Sequence, residues 1–322
     1  MKQGLLKNRG NYFMILVLNL NASLDKRYEV TDMVKGKVIR AKQVQNTPGG
    51  KGIHVANVIT ILNEECIATG LLGGKAGEFI NEKLNEYKIK HDFVNINGET
   101  RSCLAIISDD LVQTEILEPG PEVSKNEQQY FLDKYIDLVK DVDIVVASGS
   151  VPRNIPSNFY RKLIEMTNSQ GKRFLLDTSG ELLKEGIKGK PYFIKPNRDE
   201  IEALTGRKID TIEDAVEEIK RFQSQGVEFV VISLGVDGSV AGTNGKFYKV
   251  NIPKVKAINP VGSGDSYVAG VAISIQRGYT IEETLKFASA CGTANAMEKE
   301  SGFVTKFVVD ELTTKIRVEE IQ

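Results

Sequence analysis

The chain reads as an α/β protein, a mostly parallel sheet with helices on both faces and a small antiparallel sheet beside it. Two patterns carry that reading. Short β-branched runs alternate with longer amphipathic stretches along most of the chain. Two further segments break the rhythm with extended pieces that have no helix between them. Size agrees: 322 residues, 41% of them hydrophobic and 26% charged, suffice for one large core with at most a small appendage.

The first strand is expected in "MILVLNL", residues 14–20. Lys2, Lys7 and Arg9 ahead of it give the N-terminus some likeness to a signal peptide, but Asn19 and Asn21 cut the apolar run short, which favours a buried strand. Residues 1–13 then read as a loosely ordered extension of a domain spanning 14–322, with Met14 an equally good start. Residues 24–45 and 90–117 are the two segments without helices. They are expected to form the small sheet, either a lid over a site or an ordinary hairpin decoration. Further along, "DIVVASGS", "RFLLDTS", "YFIKPN" and "FVVISLG" have the length of buried strands and end on Ser, Asn or Gly. "NEQQYFLDKYIDLVK", "SNFYRKLIEMTNSQ" and "IEDAVEEIKRFQSQ" alternate with them and carry apolar residues at helical spacing. A parallel sheet follows, because a helix must return the chain to the same edge before the next strand.

Composition excludes several classes of function. The formal net charge is -1, from 42 basic and 43 acidic residues with no basic block, so nothing suggests a nucleic-acid footprint and the expected partners are small molecules. Cys66, Cys103 and Cys291 lie far apart, and His54 and His91 are the only histidines, so a zinc or disulfide framework has no basis. A reducing cytoplasm fits this cysteine usage. No apolar run reaches the length of a membrane span, so no membrane partner is expected.

Four stretches carry candidate chemistry. "PGGKGIHVANVITIL" places Gly49, Gly50, Lys51 and Gly52 ahead of a helical run, where exposed amides attract oxyanions and a lysine adds charge. A flexible strand-to-helix turn is the plainer reading. The stretch is no Walker A loop, because Gln45 stands where that motif needs glycine. "INPVGSGDSYVAG" sets Gly262, Ser263, Gly264 and Asp265 at another helix start, and Tyr267 occupies the third glycine position of a dinucleotide fingerprint. Phosphate remains a suitable guest there, and Asp265 is either a helix cap or a base aimed at a hydroxyl. In "KPNRDEIEAL", Asn197 and Glu200 either form a capping box or hold the hydration shell of Mg²⁺ near nucleotide phosphates. "ISLGVDGS" ends a strand on Ser233 and Gly235, at the edge where open α/β sheets bind ligands.

Together, "PGGKG", "KPNRDE", "SLGVDG" and "NPVGSGDS" resemble, in that order, the phosphofructokinase B (PfkB) family of ribokinase-like carbohydrate kinases, from about Met14 to the last helix. Within it, "LNASLD", "GETRSCLAII" and "QTEILEPGP" are most similar to the tagatose-6-phosphate kinase and 1-phosphofructokinase branches, the last two of these stretches looking more like the tagatose branch.

The resemblance implies a three-layer α/β/α domain with a β-sheet lid, and ATP-dependent phosphorylation of a sugar hydroxyl. It implies that Asp265 is the general base and that the amides of Val261 to Gly264 form an anion hole. Asp25 would grip sugar hydroxyls, Gly49 and Gly50 would approach the sugar, and Arg101 and Lys37 would hold its existing phosphate. Lys51, His54 and Ser150 join the sugar side. Lys195, Asn197, Ser233 and Gly235 match nucleotide-side positions, Asn295 would lie beside the adenine, and Glu200 would reach Mg²⁺ through water. A homodimer through the lid is the expected assembly.

The favoured substrate is tagatose 6-phosphate. Fructose 1-phosphate, or an unphosphorylated sugar or nucleoside, are the alternatives among enzymes. An inactive sugar- or nucleotide-binding regulator is the alternative of another class. His54 stands where the family usually has Asn, Asn57 where it usually has Arg, and Ala22 where proline is common; the resemblance places the first two near the sugar, so either the usual phosphosugar is held differently or another substrate is used.

Overall fold

The computed structural model describes residues 14–321. The expected N-terminal extension, residues 1–13, lies outside the described residues.

The chain opens with β1 (Ile15–Asn19), β2 (Ser23–Glu29), β3 (Gln43–Gly49), α1 (Lys51–Ile61), β4 (Cys66–Leu72) and α2 (Gly74–Glu86). Then come β5 (Lys90–His91), β6 (Val94–Asn95), β7 (Arg101–Ile107), β8 (Gln113–Leu117), α3 (Lys125–Lys140) and β9 (Ile144–Ser148). The middle runs through α4 (Phe159–Ser169), β10 (Arg173–Asp177), α5 (Gly180–Ile187), β11 (Phe193–Ile194), α6 (Arg198–Thr205), α7 (Ile212–Ser224) and β12 (Phe229–Ser233). The last elements are β13 (Ser239–Thr243), β14 (Lys246–Asn251), α8 (Ser263–Arg277), α9 (Ile281–Ala296), α10 (Lys306–Lys315) and β15 (Arg317–Ile321).

The main sheet runs β15-β14-β13-β12-β11-β10-β9-β1-β4-β5, with β6 also on β4. Pairings from β12 to β5 are parallel, while β13, β14 and β15 add an antiparallel edge. Two hydrophobic clusters divide the chain's core. Ile15, Val17, Val146 and Val231 pack with α1, α8 and α9 in one, and Leu16, Leu18, Val145 and Ile232 pack with α3, α4 and α7 in the other. Alternate residues of the same strands thus feed opposite layers, which is why these strands read as unbroken apolar runs. The "MILVLNL" run is the centre of the sheet, with every residue of β1 buried.

The small sheet runs β3-β2-β7-β8. Its β2–β7 pairing is parallel and the other two are antiparallel, so it is mixed rather than purely antiparallel. Residues 90–95, expected in this sheet, instead pair as β5 and β6 with β4 of the main one. They are too short to show a strand period of their own, and their placement comes from the β4 edge they cover.

Candidate active site

The parallel strands β1, β9, β10, β11 and β12 end on one side of the main sheet, over a cleft of about 1620 Å³. Asn19, Gly149, Asp177, Lys195 and Ser233 line it from the strand ends, Asp25 and Arg101 from the small sheet, and Gly262 to Asp265 from the start of α8. This is the carboxyl edge, where the open ends of strands and the starts of the following helices leave backbone groups free for a ligand.

The start of α8 depends on Gly262, which sits at the N-cap with φ +87°, a left-handed conformation that glycine adopts without a Cβ clash. The Val261 amide donates to Asn259 Oδ1 at 3.0 Å and the Ser263 amide to Pro260 O at 3.2 Å. Two of the amides expected in an anion hole are therefore already engaged within the loop. Those of Gly264 and Asp265, in the first helical turn, have no intrahelical carbonyl to bond and sit at the positive end of the helix dipole.

Asp265 is buried and does not cap the helix, because it is the third helical residue and no side chain caps this end. Its Oδ2 instead meets His54 Nδ1 from α1 at 2.8 Å. On the far side of the ring, His54 Nε2 lies 4.0 Å from Asp25 Oδ2. Burial by itself would lower the imidazole's proton affinity, but the Asp265 hydrogen bond and the charges of Asp265 and Asp25 outweigh it and raise His54 above its ordinary value. Asp25 is also raised. Burial is the main cause, and His54, Ser23 and Arg101 offset it only in part.

Asp25 reaches this place because of the turn after β3. A Cβ on Gly49 would lie 2.0 Å from Asp25 Cγ, so the carboxylate occupies the space that any other residue would fill. Ser23 Oγ donates to Asp25 Oδ1 at 2.5 Å and fixes the other oxygen.

A second charged group lies deeper. Asp177, at the end of β10, is 3% exposed and takes Lys195 Nζ at 3.3 Å and Lys51 Nζ at 3.7 Å. Burial would raise Asp177, yet the two ammonium groups hold its carboxyl below the usual range, and Asp177 in turn raises Lys51. One carboxylate between two lysines leaves one positive charge in excess, beside the phosphate-accepting amides. A Cβ on Gly264 would stand 3.1 Å from Lys195 Nζ, which puts that ammonium against the α8 start.

The chain matches the description "pfkB family carbohydrate kinase" over residues 19–306. It belongs to that family. It is 40% identical over 314 residues to tagatose-6-phosphate kinase of Staphylococcus epidermidis, covering 96% of this chain and 100% of that one. Among solved structures it is similar to phosphofructokinase-2 from Escherichia coli, with TM-score 0.89 and 25% identity over 94% of this chain and 99% of that one. Ribokinase from Arabidopsis thaliana shares the fold, with TM-score 0.76 and 22% identity over 94% and 98% of the two chains. The ribokinase-like α/β fold read from the motifs is therefore the fold of this carbohydrate kinase family member.

The remaining expected residues of this family member divide into those that reach the cleft and those that do not. Arg101 reaches it, with Nε donating to Asn21 O at 3.2 Å and Nη1 to Glu118 O at 2.9 Å, so its guanidinium is held beside Asp25. Gly50 lines the cleft too, and Ser150 Oγ there accepts from Asn21 Nδ2 at 3.0 Å. Ser233 and Gly235 line the same wall, and Ser233 forms a parallel bridge with Asn197. Asn197 and Glu200 form the capping box of α6: Glu200 N donates to Asn197 Oδ1 at 2.8 Å, and Asn197 N to Glu200 Oε2 at 2.9 Å.

Two of the expected residues lie outside the cleft. Lys37 lies in the exposed loop between β2 and β3 and is not among the cleft residues. Asn295 is fully buried: Nδ2 donates to Val261 O at 2.8 Å, while Oδ1 accepts from Gly302 N at 2.8 Å and Ser266 Oγ at 3.1 Å. It ties the α8 entry to the loop after α9, and its polar atoms are all spent there. Asn57, one turn after His54, does line the cleft, and its amide also donates to Gly302 O at 2.9 Å, on the same loop. Asp177 was missed as a site residue. A carboxylate ending an apolar strand in "RFLLDTS" is the signal that could have found it, since an unpaired charge is not buried there without a partner.

Proposed function

We propose that the protein transfers the γ-phosphoryl group of ATP to tagatose 6-phosphate, giving tagatose 1,6-bisphosphate and ADP. The observation that carries this reading is the single cleft in which Asp25 and Arg101 face Asp265 and the free amides of α8. The name of the Staphylococcus epidermidis relative, alike across its full length, supports the choice of sugar.

Asp25 accepts hydrogen bonds from sugar hydroxyls, and Arg101 binds the existing phosphate with its planar fork. Asp265 takes the proton of the attacking hydroxyl as that oxygen bonds the γ-phosphorus and the bond from phosphorus to the ADP oxygen breaks. The Gly264 and Asp265 amides, with Lys195 and Lys51, stabilise charge on the transferring group. Such a loose transition state needs positioning and charge stabilisation above all. Asn197, Ser233 and Gly235 form the nucleotide wall.

Mg²⁺ fits through water. With Asn197 Oδ1 and Glu200 Oε2 committed to the capping box, Glu200 offers its second oxygen to an ion that retains its waters. When bound with ATP, the ion would screen phosphate charge. Val44 and Ile116 are half-exposed on the face of the small sheet opposite Asp25, which supports pairing of two copies there, with that sheet acting as a lid. No helix among the described residues is long and apolar enough to cross a membrane, and the cytoplasm is the proposed location.

The test is ADP release with Mg-ATP against tagatose 6-phosphate, fructose 1-phosphate, fructose 6-phosphate, ribose and adenosine. The highest kcat/KM is expected for tagatose 6-phosphate. Turnover confined to ribose or adenosine would overturn the reading.

A further inference from the structure

We propose that His54 is a positioning residue for phosphoryl transfer: Nδ1 holds Asp265 Oδ2, leaving Oδ1 for the substrate hydroxyl, while Nε2 faces Asp25 and links the sugar-gripping carboxylate to the base. The inference deepens the kinase reading and rests on its assignment of Asp265 as the base.

The geometry is a carboxylate on each side of one ring. Asp265 Oδ2 is 2.8 Å from Nδ1 and Asp25 Oδ2 is 4.0 Å from Nε2, with His54 only 12% exposed in its side chain. An ionised Asp265 at that distance requires a proton on Nδ1, because a bare nitrogen would set two lone pairs against each other. The contact therefore fixes the tautomer, and the ring in turn fixes which carboxylate oxygen is turned toward substrate. The arrangement follows the logic of the hydrolase triad, in which a side chain that never touches the bond in play sets the orientation of one that does.

Comparison with an asparagine at position 54 shows what the ring adds. An Asn amide nitrogen can sit where Nδ1 sits and donate to Asp265. It has no atom at the Nε2 position and does not titrate, so it cannot reach Asp25 or respond to pH. The charged groups facing His54 are Asp265 from α8, Asp25 from β2 and Lys51 from its own helix. The two carboxylates favour the imidazolium and Lys51 opposes it. With His54 protonated, Asp25 is drawn into an ion pair across Nε2. With it neutral, the proton has left Nε2, Asp25 is released to the sugar, and Nδ1–H still holds Asp265 Oδ2. Turnover at limiting sugar accordingly rises as pH rises through the His54 titration.

Ring-nitrogen NMR reads this without substrate. The chain has two histidines, and His91, in β5 of the main sheet, serves as the internal control. Asp265→Asn is expected to shift the His54 midpoint downward and leave His91 in place; an unmoved His54 midpoint would overturn the proposal. Kinetics give the second reading. His54→Asn is expected to flatten the rise of kcat/KM with pH, and His54→Gln, which keeps a nitrogen only at the far position, to lower kcat roughly 10- to 100-fold, the scale of a misplaced reacting group. An unchanged pH limb in His54→Asn contradicts the coupling. If no phosphosugar is turned over by the wild type, the kinase reading fails while the ring titration still decides whether His54 and Asp265 act as one unit.

Discussion

The two sheets that wall the cleft are built differently. Every residue of β1 and β9 is buried, whereas β7 is half-buried along its whole length and β8 is exposed at every position. The main sheet is locked by packing on both faces, and it carries Asp177 and Lys195 as a buried ion group at its open edge. The small sheet has one face toward the cleft and carries Asp25 and Arg101 on half-buried strands. In the proposed reaction the groups for chemistry stand beside the main sheet and those for sugar recognition on the small one. Changes on the first should appear in kcat or stability, and changes on the second in KM.

The largest effect should come from Asp265→Asn, which removes the proposed base beside the main sheet. A kcat loss of about 10²- to 10⁴-fold is expected with ATP affinity retained, read by ADP release and by nucleotide titration. Near wild-type turnover would place the base elsewhere. Asp177→Ala should come next, leaving the buried Lys195 ammonium without its anion and the half-exposed Lys51 without its partner, and costing on the order of 3–5 kcal/mol in urea unfolding. A smaller cost would mean that Lys195 finds water or another partner in the variant.

Arg101→Ala tests the small-sheet wall. Its KM for the phosphosugar should rise roughly 10- to 100-fold, the worth of a charged hydrogen bond, with kcat less affected. The acid stability profile gives a subtler reading. Asp177 has a depressed folded-state pKa, so its contribution is complete above its ordinary value of 3.8 and is lost as pH falls through the lower folded value. Unfolding free energy of the wild type should fall in that acid range, and that part of the slope should be missing in Asp177→Ala. Smallest of all, Lys37→Ala should change KM less than about twofold, because this exposed residue stands outside the cleft.

The same contrast explains what was legible in the sequence. Strands buried on both faces leave continuous apolar runs, so β1, β9, β10 and β12 could be read directly, and the amphipathic period revealed α3, α4 and α7. The glycine turns at 49–50 and 262–264 were readable because close approach and a left-handed φ restrict the residue type. The partnerships were not. Whether Asp265 caps a helix or faces an imidazole depends on α1 and α8 meeting across some 211 residues of chain. Asn295 and Lys37 matched positions in a pattern, but the motif carries no information on whether a side chain turns into the cleft or away. Residues 90–95 were assigned to the wrong sheet because two-residue strands take their partner from the nearest free edge.

The central claim is that one cleft binds a sugar already carrying a phosphate and phosphorylates it again. The most direct measurement compares kcat/KM for tagatose 6-phosphate with that for unphosphorylated tagatose, in the wild type and in Arg101→Ala. A preference of at least about tenfold for the phosphosugar, reduced in Arg101→Ala, is expected from the loss of a charged hydrogen bond. Equal use of the two sugars by the wild type would contradict the account.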